Sequence, residues 1–180
     1  MNKTRETGFS KVIPWLRVKK MSDMFFRDEL QRYNVMLNYE CYEQMLHYSN
    51  KTKPYETGGI LIGNYSQDLT TASILKITPP PKNSIQKKHS FHRGSTELQL
   101  ILDTAWDKGY YYLGEWHYHP NSLATPSQTD IKQMIEFSKN KNLKCPEPIL
   151  VIIGGDINSW ETTVSIFPNG KHILLKYYRD

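Results

Sequence analysis

A strand-like run that ends at a proline, with a helix start soon after it, is the feature that most constrains the fold of this chain. Residues 110–119 are rich in aromatic side chains and predict a strand, and Pro120 ends it because proline cannot continue the sheet ladder. Thr125 is a good N-cap, Pro126 suits the first helical position, and Gln128 completes a capping box. A helix beginning there would fold back over the end of the strand.

Similar patterns elsewhere predict one domain that mixes strands and helices. Asn38 is a good N-cap for a second helix, and another helix is expected from Ser95 or Thr96 to a stop at Gly109. The other predicted strands cover residues 58–65, 72–78, 149–154, 162–167 and 172–178. The 180 residues therefore predict an α/β (α+β) domain, a mixed sheet with helices packed on it.

Two segments fit this pattern less well. Residues 1–36 carry short apolar runs interrupted by Pro14, and we interpret them as an N-terminal accessory arm on a domain of residues 37–180. Residues 79–94 hold three consecutive prolines and four basic residues, and they predict a mobile surface loop.

Composition excludes several classes of protein. The aromatic content of 12% argues against disorder, and the most apolar run, residues 149–153, is too short for a membrane span. Cys41 and Cys145 make no disulfide framework, and the N-terminus shows no secretory signal, so a cytoplasmic protein is expected. The net charge of +5 fits an acidic protein partner and, less well, nucleic acid.

A pair of histidines indicates a metal centre. His117 and His119 alternate with Tyr118 on the predicted strand, so both imidazoles point to one face. The helix start would bring Asp130 to the same place. Two imidazoles and one carboxylate leave a fourth position for water, which is the pattern of a catalytic zinc site. Ser127, three residues before Asp130, has a hydroxyl that could stabilise an oxyanion.

The general base stays open at this point. Glu56 stands at the mouth of the strand at residues 58–65. Glu115 lies two residues before His117, so alternation places it on the metal face and slightly favours it. The other histidines are interpreted as ordinary surface or core residues, although His89 and His92 lie in a loop that could border the site.

This set of residues resembles the signature of the JAMM (MPN+, or JAB) metallopeptidases. Their pattern is a distant glutamate followed by His-x-His-x7-Ser-x-x-Asp, and this chain matches it. The resemblance implies a cytidine-deaminase-like fold with a mixed, curved sheet and one zinc ion per chain. It also implies the roles: His117, His119 and Asp130 as zinc ligands, Glu56 as the base in preference to Glu115, and Ser127 at the oxyanion.

Two departures from the signature bear on the subgroup. Tyr118 stands where Ser or Thr is common, and residues 131–148 leave no room for the long insertions of chain-selective eukaryotic deubiquitinases. The compact chain is similar to the bacterial branch, which includes deconjugating peptidases that accompany ubiquitin-type E1 and E2 enzymes in anti-phage operons such as type II CBASS.

The resemblance therefore implies a zinc-dependent isopeptidase or peptidase. Its partners would be the C-terminal tail of a ubiquitin-like protein or a nucleotide cyclase, with its conjugates, and E1- or E2-like enzymes. Two other functions stay open: a binding scaffold without catalysis, and a zinc peptidase that acts on a sulfur-carrier protein or a small metabolite. Membrane insertion and nucleic-acid binding are not expected.

Overall fold

The structure, a computed structural model, describes residues 22–178. Ten strands and three α-helices follow one another in this part of the chain. The helices are α1 (Tyr39–Thr52), α2 (Leu98–Trp106) and α3 (Gln128–Lys139). The strands are β1 (Met24–Arg27), β2 (Asn34–Leu37), β3 (Thr57–Tyr65), β4 (Thr71–Ile77), β5 (Ile85–Lys87), β6 (Ser90–His92), β7 (Tyr111–Pro120), β8 (Ile149–Asp156), β9 (Ser159–Ile166) and β10 (Ile173–Tyr178).

Eight of these strands form one closed, mixed sheet. Their order is β1-β10-β9-β8-β7-β3-β4-β2, and β2 closes the barrel by pairing with β1. The pairs β2–β4 and β7–β8 are parallel and the others are antiparallel. The predicted mixed and curved sheet with helices packed around it is confirmed, and the last two predicted strands pair as the antiparallel strands β9 and β10.

The predicted boundary at residue 36 differs from the structure. Strands β1 and β2 belong to the barrel, and Phe26 and Val35 are buried in its core. Strands of four residues are too short to show a period, which is why the sequence pattern left them ambiguous. Residues 1–21 of the predicted accessory arm lie outside the described residues.

Capping side chains start α1 and α3, whereas α2 begins at Leu98 without a side-chain cap, later than the predicted Ser95 or Thr96. Asn38 caps α1 as predicted, since its side chain accepts hydrogen bonds from the amides of Glu40 and Cys41. The third helix begins two residues later than expected, because Ser127 is its N-cap and forms a capping box with Asp130. The prediction of Thr125 as the cap was wrong: two overlapping Ser/Thr boxes compete here, and the later one forms.

The segment at residues 79–94 is also more regular than predicted. Its centre folds into an antiparallel hairpin, β5–β6, in which Ile85 pairs with His92 and Lys87 with Ser90. We call residues 85–92 the β5–β6 hairpin.

Three apolar clusters connect the helices to the sheet. Met45 of α1 packs in the largest cluster with Trp116 and Tyr118, which are fully buried. The second cluster joins α3 to β8, and the third joins α2 to β3. Strand β7 is thus fixed on one face by the core that contains Trp116, while its histidines occupy the opposite face. None of the helices at residues 22–178 combines the length and apolarity that crossing a membrane requires.

Candidate metal centre

The two histidines and the aspartate meet where the end of β7 approaches the start of α3. His117 and His119 project from β7 on the same face, and Asp130 is the third residue of α3. One ligand atom from each residue lies within 4.8 Å of the other two. The short loop after Pro120 brings the helix start over the strand end, as the sequence predicts.

Close contacts already connect these three side chains. Nδ1 of His117 lies 2.8 Å from Oδ1 of Asp130, and Nε2 of His119 lies 3.4 Å from Oδ2 of the same carboxylate. His117 and Asp130 are only 6% and 7% exposed. Two imidazole nitrogens and one carboxylate oxygen at this separation fit a metal ion that keeps an open coordination position. We call His117, His119 and Asp130 the metal triad.

Mutual interactions change the acidity of the metal triad. Burial alone would raise the pKa of Asp130, but hydrogen bonds from His117, His119 and Ser127 hold it well below its usual range. Burial alone would lower the pKa of His119, but its hydrogen bond to Asp130 and the negative charge there raise it. Asp130 is therefore a carboxylate throughout the neutral range, as a metal ligand must be.

Ser127 holds Asp130 in place. Its hydroxyl donates to Oδ2 of Asp130 at 2.7 Å, and its amide donates to the same oxygen at 2.7 Å. The amide of Asp130 in turn donates to the Ser127 hydroxyl at 3.1 Å. Ser127 thus orients one member of the metal triad.

Glu56 faces the metal triad across a cavity of about 280 Å³. It precedes β3 directly, and burial raises the pKa of its carboxyl group, an effect that the nearby His119 partly offsets. Its backbone amide donates to the carbonyl of Lys87 at 2.8 Å, which ties the start of β3 to the β5–β6 hairpin. A half-buried carboxyl group at the edge of a metal site is well placed for proton transfer.

Glu115 lies elsewhere and does not line this cavity. It is fully buried, and its two carboxylate oxygens accept hydrogen bonds from Arg93 at 2.7 Å and from the hydroxyl of Tyr112 at 2.9 Å. Alternation gave the face of β7 but not the position along it, because two residues of strand span about 6.6 Å. Both oxygens of Glu115 are therefore engaged away from the metal triad.

The β5–β6 hairpin forms part of the cavity wall, and the sequence indicated only some of its residues. His89 and His92 border the cavity, and so does Phe91, which the sequence did not indicate. The Phe91 ring meets His117 edge-on, with centroids 5.5 Å apart and planes at 83°. Gly58 makes this approach possible, because a Cβ there would lie 2.9 Å from both rings.

Comparison with known proteins agrees with this geometry. Residues 39–163 match the family described as prokaryotic homologs of the JAB domain, a range that contains the metal triad, Glu56 and Ser127. The chain belongs to this family. It is accordingly a hydrolase of the JAMM metallopeptidase type, as the resemblance implied.

Named relatives support the same assignment. The chain is 38% identical over 157 residues to a "CD-NTase/cGAS isopeptidase" of Enterobacter hormaechei, covering 86% of this chain and 87% of that protein. It is 27% identical to "Probable metalloprotease y4qB" of Sinorhizobium fredii over 66% of this chain and 74% of that one. A solution structure of a Desulfitobacterium hafniense protein shares the fold, with a TM-score of 0.58, 18% identity, and coverage of 80% of this chain and 89% of that one.

Proposed function

We propose that this JAB-family protein is a zinc-dependent isopeptidase that hydrolyses the amide bond after the C-terminal tail of a ubiquitin-like protein or a conjugated nucleotide cyclase. The single observation that carries this proposal is the buried metal triad facing Glu56 across an open cavity. Such a site offers ligands on one side and a proton acceptor on the other, which is what metal-assisted amide hydrolysis requires.

Zinc is the metal that we propose for the triad, one ion per chain. Nitrogen and oxygen donors in a three-ligand, buried set are those of catalytic zinc sites. When bound, the ion would supply Lewis acidity, polarising the scissile carbonyl and acidifying water in its open position.

The protein's own groups would then handle the proton and the developing charge. Glu56 would take a proton from water and return it to the departing lysine amine, and its raised pKa keeps it close to the working range of a base that must also act as an acid. The Ser127 hydroxyl would donate to the oxyanion after turning away from Asp130.

The substrate class comes from the relatives. Three of them, from different bacteria, carry the name "CD-NTase/cGAS isopeptidase". We therefore propose a cyclase conjugate as the substrate, E1- and E2-like enzymes as partners, and a role in anti-phage defence. The two cysteines of the described chain are free and buried, which agrees with a cytoplasmic location.

Cleavage of linear fusions tests the proposal. A reporter protein would be joined to tails from a cyclase, a ubiquitin-like protein and a sulfur carrier, and each fusion would be incubated with the zinc-loaded wild type and with Glu56→Gln. We expect cleavage after the cyclase or ubiquitin-like tail, and a loss of about 10²–10⁴-fold in Glu56→Gln.

Glu147→Gln is the matched control. Burial also raises the pKa of Glu147, but this residue does not line the cavity, so its variant should keep the wild-type rate. Folded, zinc-loaded protein that cleaves none of the tails would support a binding scaffold. Cleavage of the sulfur-carrier tail alone would identify the substrate as a sulfur-carrier protein instead of a cyclase or ubiquitin-like conjugate.

A further inference from the structure

The ion pair between Arg93 and Glu115 is a buried charge interaction that the proposed mechanism does not use. The Glu115 side chain is 1% exposed and that of Arg93 17% exposed, with Nε of Arg93 2.7 Å from Oε2 of Glu115. Tyr112 donates to the other oxygen at 2.9 Å. Burial, reinforced by the charge of Glu115, raises the pKa of Tyr112 well above its usual value, so Tyr112 stays a donor.

This pair joins two elements that are far apart in sequence. Arg93 directly follows β6, whereas Glu115 is in β7, two residues before His117. The other end of the β5–β6 hairpin is attached next to Glu56, through the bond from the Glu56 amide to the Lys87 carbonyl. The hairpin is thus held near its turn by the amide of the proposed base, and at its last residues by the Arg93–Glu115 ion pair on the strand that carries His117.

The location of the hairpin matters for the metal triad. Phe91, two residues before Arg93, packs edge-on against the His117 ring. The strength of an edge-to-face contact depends on the angle and separation of the two rings. A shift of the hairpin would therefore weaken the contact between Phe91 and His117. The same shift would alter the cavity wall formed by His89 and His92.

We infer that Arg93 and Glu115 are positioning residues, which lock the β5–β6 hairpin over the metal triad so that Phe91 supports His117. The inference rests on the proposed metallopeptidase function for its catalytic consequence. It also gives Glu115 a role other than that of a base. The buried Glu115 carboxylate anchors Arg93, the residue that directly follows the hairpin.

The test compares Arg93→Gln with the matched control Arg32→Gln. Arg32 also pairs with a buried carboxylate, that of Asp28, at 3.4 Å, but in the turn between β1 and β2, and it does not line the cavity. Arg93→Lys is the rescue variant, since it restores the positive charge. All proteins would be studied as the full chain, well below their unfolding temperatures.

Three readouts separate positioning from mere stability. In Arg93→Gln, hydrogen exchange in residues 85–92 and at the Glu56 amide should be faster by about tenfold. The visible spectrum of the cobalt-substituted protein, which reports ligand geometry around His117, should change. The value of kcat/KM on the cleaved fusion should fall by about tenfold or more, with partial recovery in Arg93→Lys. Arg32→Gln should leave all three unchanged.

The outcomes are distinct. Unchanged hairpin exchange in Arg93→Gln would overturn the inference, and so would faster exchange with an unchanged spectrum and an unchanged kcat/KM. If the wild type cleaves no fusion, the proposed function fails, while the exchange data and the cobalt spectrum still decide whether the pair positions the hairpin and His117.

Discussion

Ser127 and Asp130 close a capping box in which the Asp130 carboxylate, a proposed metal ligand, also accepts hydrogen bonds from the N-cap residue Ser127. The carboxylate of Asp130 that faces both histidines also accepts hydrogen bonds from the hydroxyl and the amide of Ser127, each at 2.7 Å. The same hydrogen bonds therefore stabilise the first turn of α3 and orient the Asp130 carboxylate. Such outer contacts commonly tune metal affinity as well as structure.

Removal of this cap should weaken both the helix and the metal site. For Ser127→Ala we expect a loss of about 1 kcal/mol in the free energy of unfolding. We also expect zinc affinity to fall by about 10–100-fold, because Asp130 loses a hydrogen bond that orients it. Denaturant unfolding and titration against a competing chelator measure the two effects.

Asn38→Ala provides the control for that variant. Asn38 caps α1 through the amides of Glu40 and Cys41 and lies outside the metal site, so its loss should cost similar stability without changing zinc affinity. Equal zinc affinities in Ser127→Ala and Asn38→Ala would contradict the link between cap and ligand.

Gly58 should be intolerant of any side chain. It lies opposite His117 in the β3–β7 pair, and a Cβ would press on the carbonyl of Trp116 as well as on the rings of His117 and Phe91. For Gly58→Ala we expect a loss of about 1–3 kcal/mol in the free energy of unfolding, together with weaker zinc binding.

The matched substitution for Gly58 is Gly63→Ala. Gly63 is on the same strand and equally crowded, but its neighbours are Ser73 and Leu113. It should lose stability while keeping its zinc affinity, as measured by the same chelator titration. Normal zinc binding by Gly58→Ala would show that the close approach of Phe91 to His117 is dispensable.

The metal-free protein should depend on pH through the metal triad. Asp130 has a lowered pKa, so its interactions stabilise the fold above about pH 4 and are lost as the pH falls. His119 has a raised pKa, so its contribution is full below about pH 6.5 and is lost as the pH rises through its value in the folded state.

The two contributions overlap in a defined window. The stability difference between the metal-free wild type and Asp130→Asn should be largest between about pH 4 and 6.5, because both partners are charged there. Denaturant unfolding at a series of pH values, with chelator present, measures it. A difference that is constant from pH 4 to 9 would show that the pair carries no charge interaction.

The sequence predicted the parts of the site that local periodicity controls. His117 and His119 share a face because a strand has a period of two residues, and the proline and cap signals placed a helix start close by. The convergence of Asp130 with both histidines followed from the short loop between these elements.

Features that depend on tertiary packing were not predictable in the same way. Alternation placed Glu115 on the correct face but could not show that Arg93, 22 residues earlier, would engage it. Strands β1 and β2 are stabilised by pairing with β10 and β4, partners that no local window contains. Two Ser/Thr capping boxes overlap in the sequence, and the local pattern did not show that Ser127 rather than Thr125 forms the cap.

Metal analysis of the purified protein tests the central claim most directly. Zinc would be measured by mass spectrometry of the wild type, His119→Ala, Asp130→Ala and the control Glu147→Gln after dialysis. The account predicts about one zinc per chain in the wild type and in Glu147→Gln, and little in the two triad variants, since three protein ligands hold such an ion. Folded wild-type protein that retains no zinc, or triad variants that retain as much as the wild type, would contradict it.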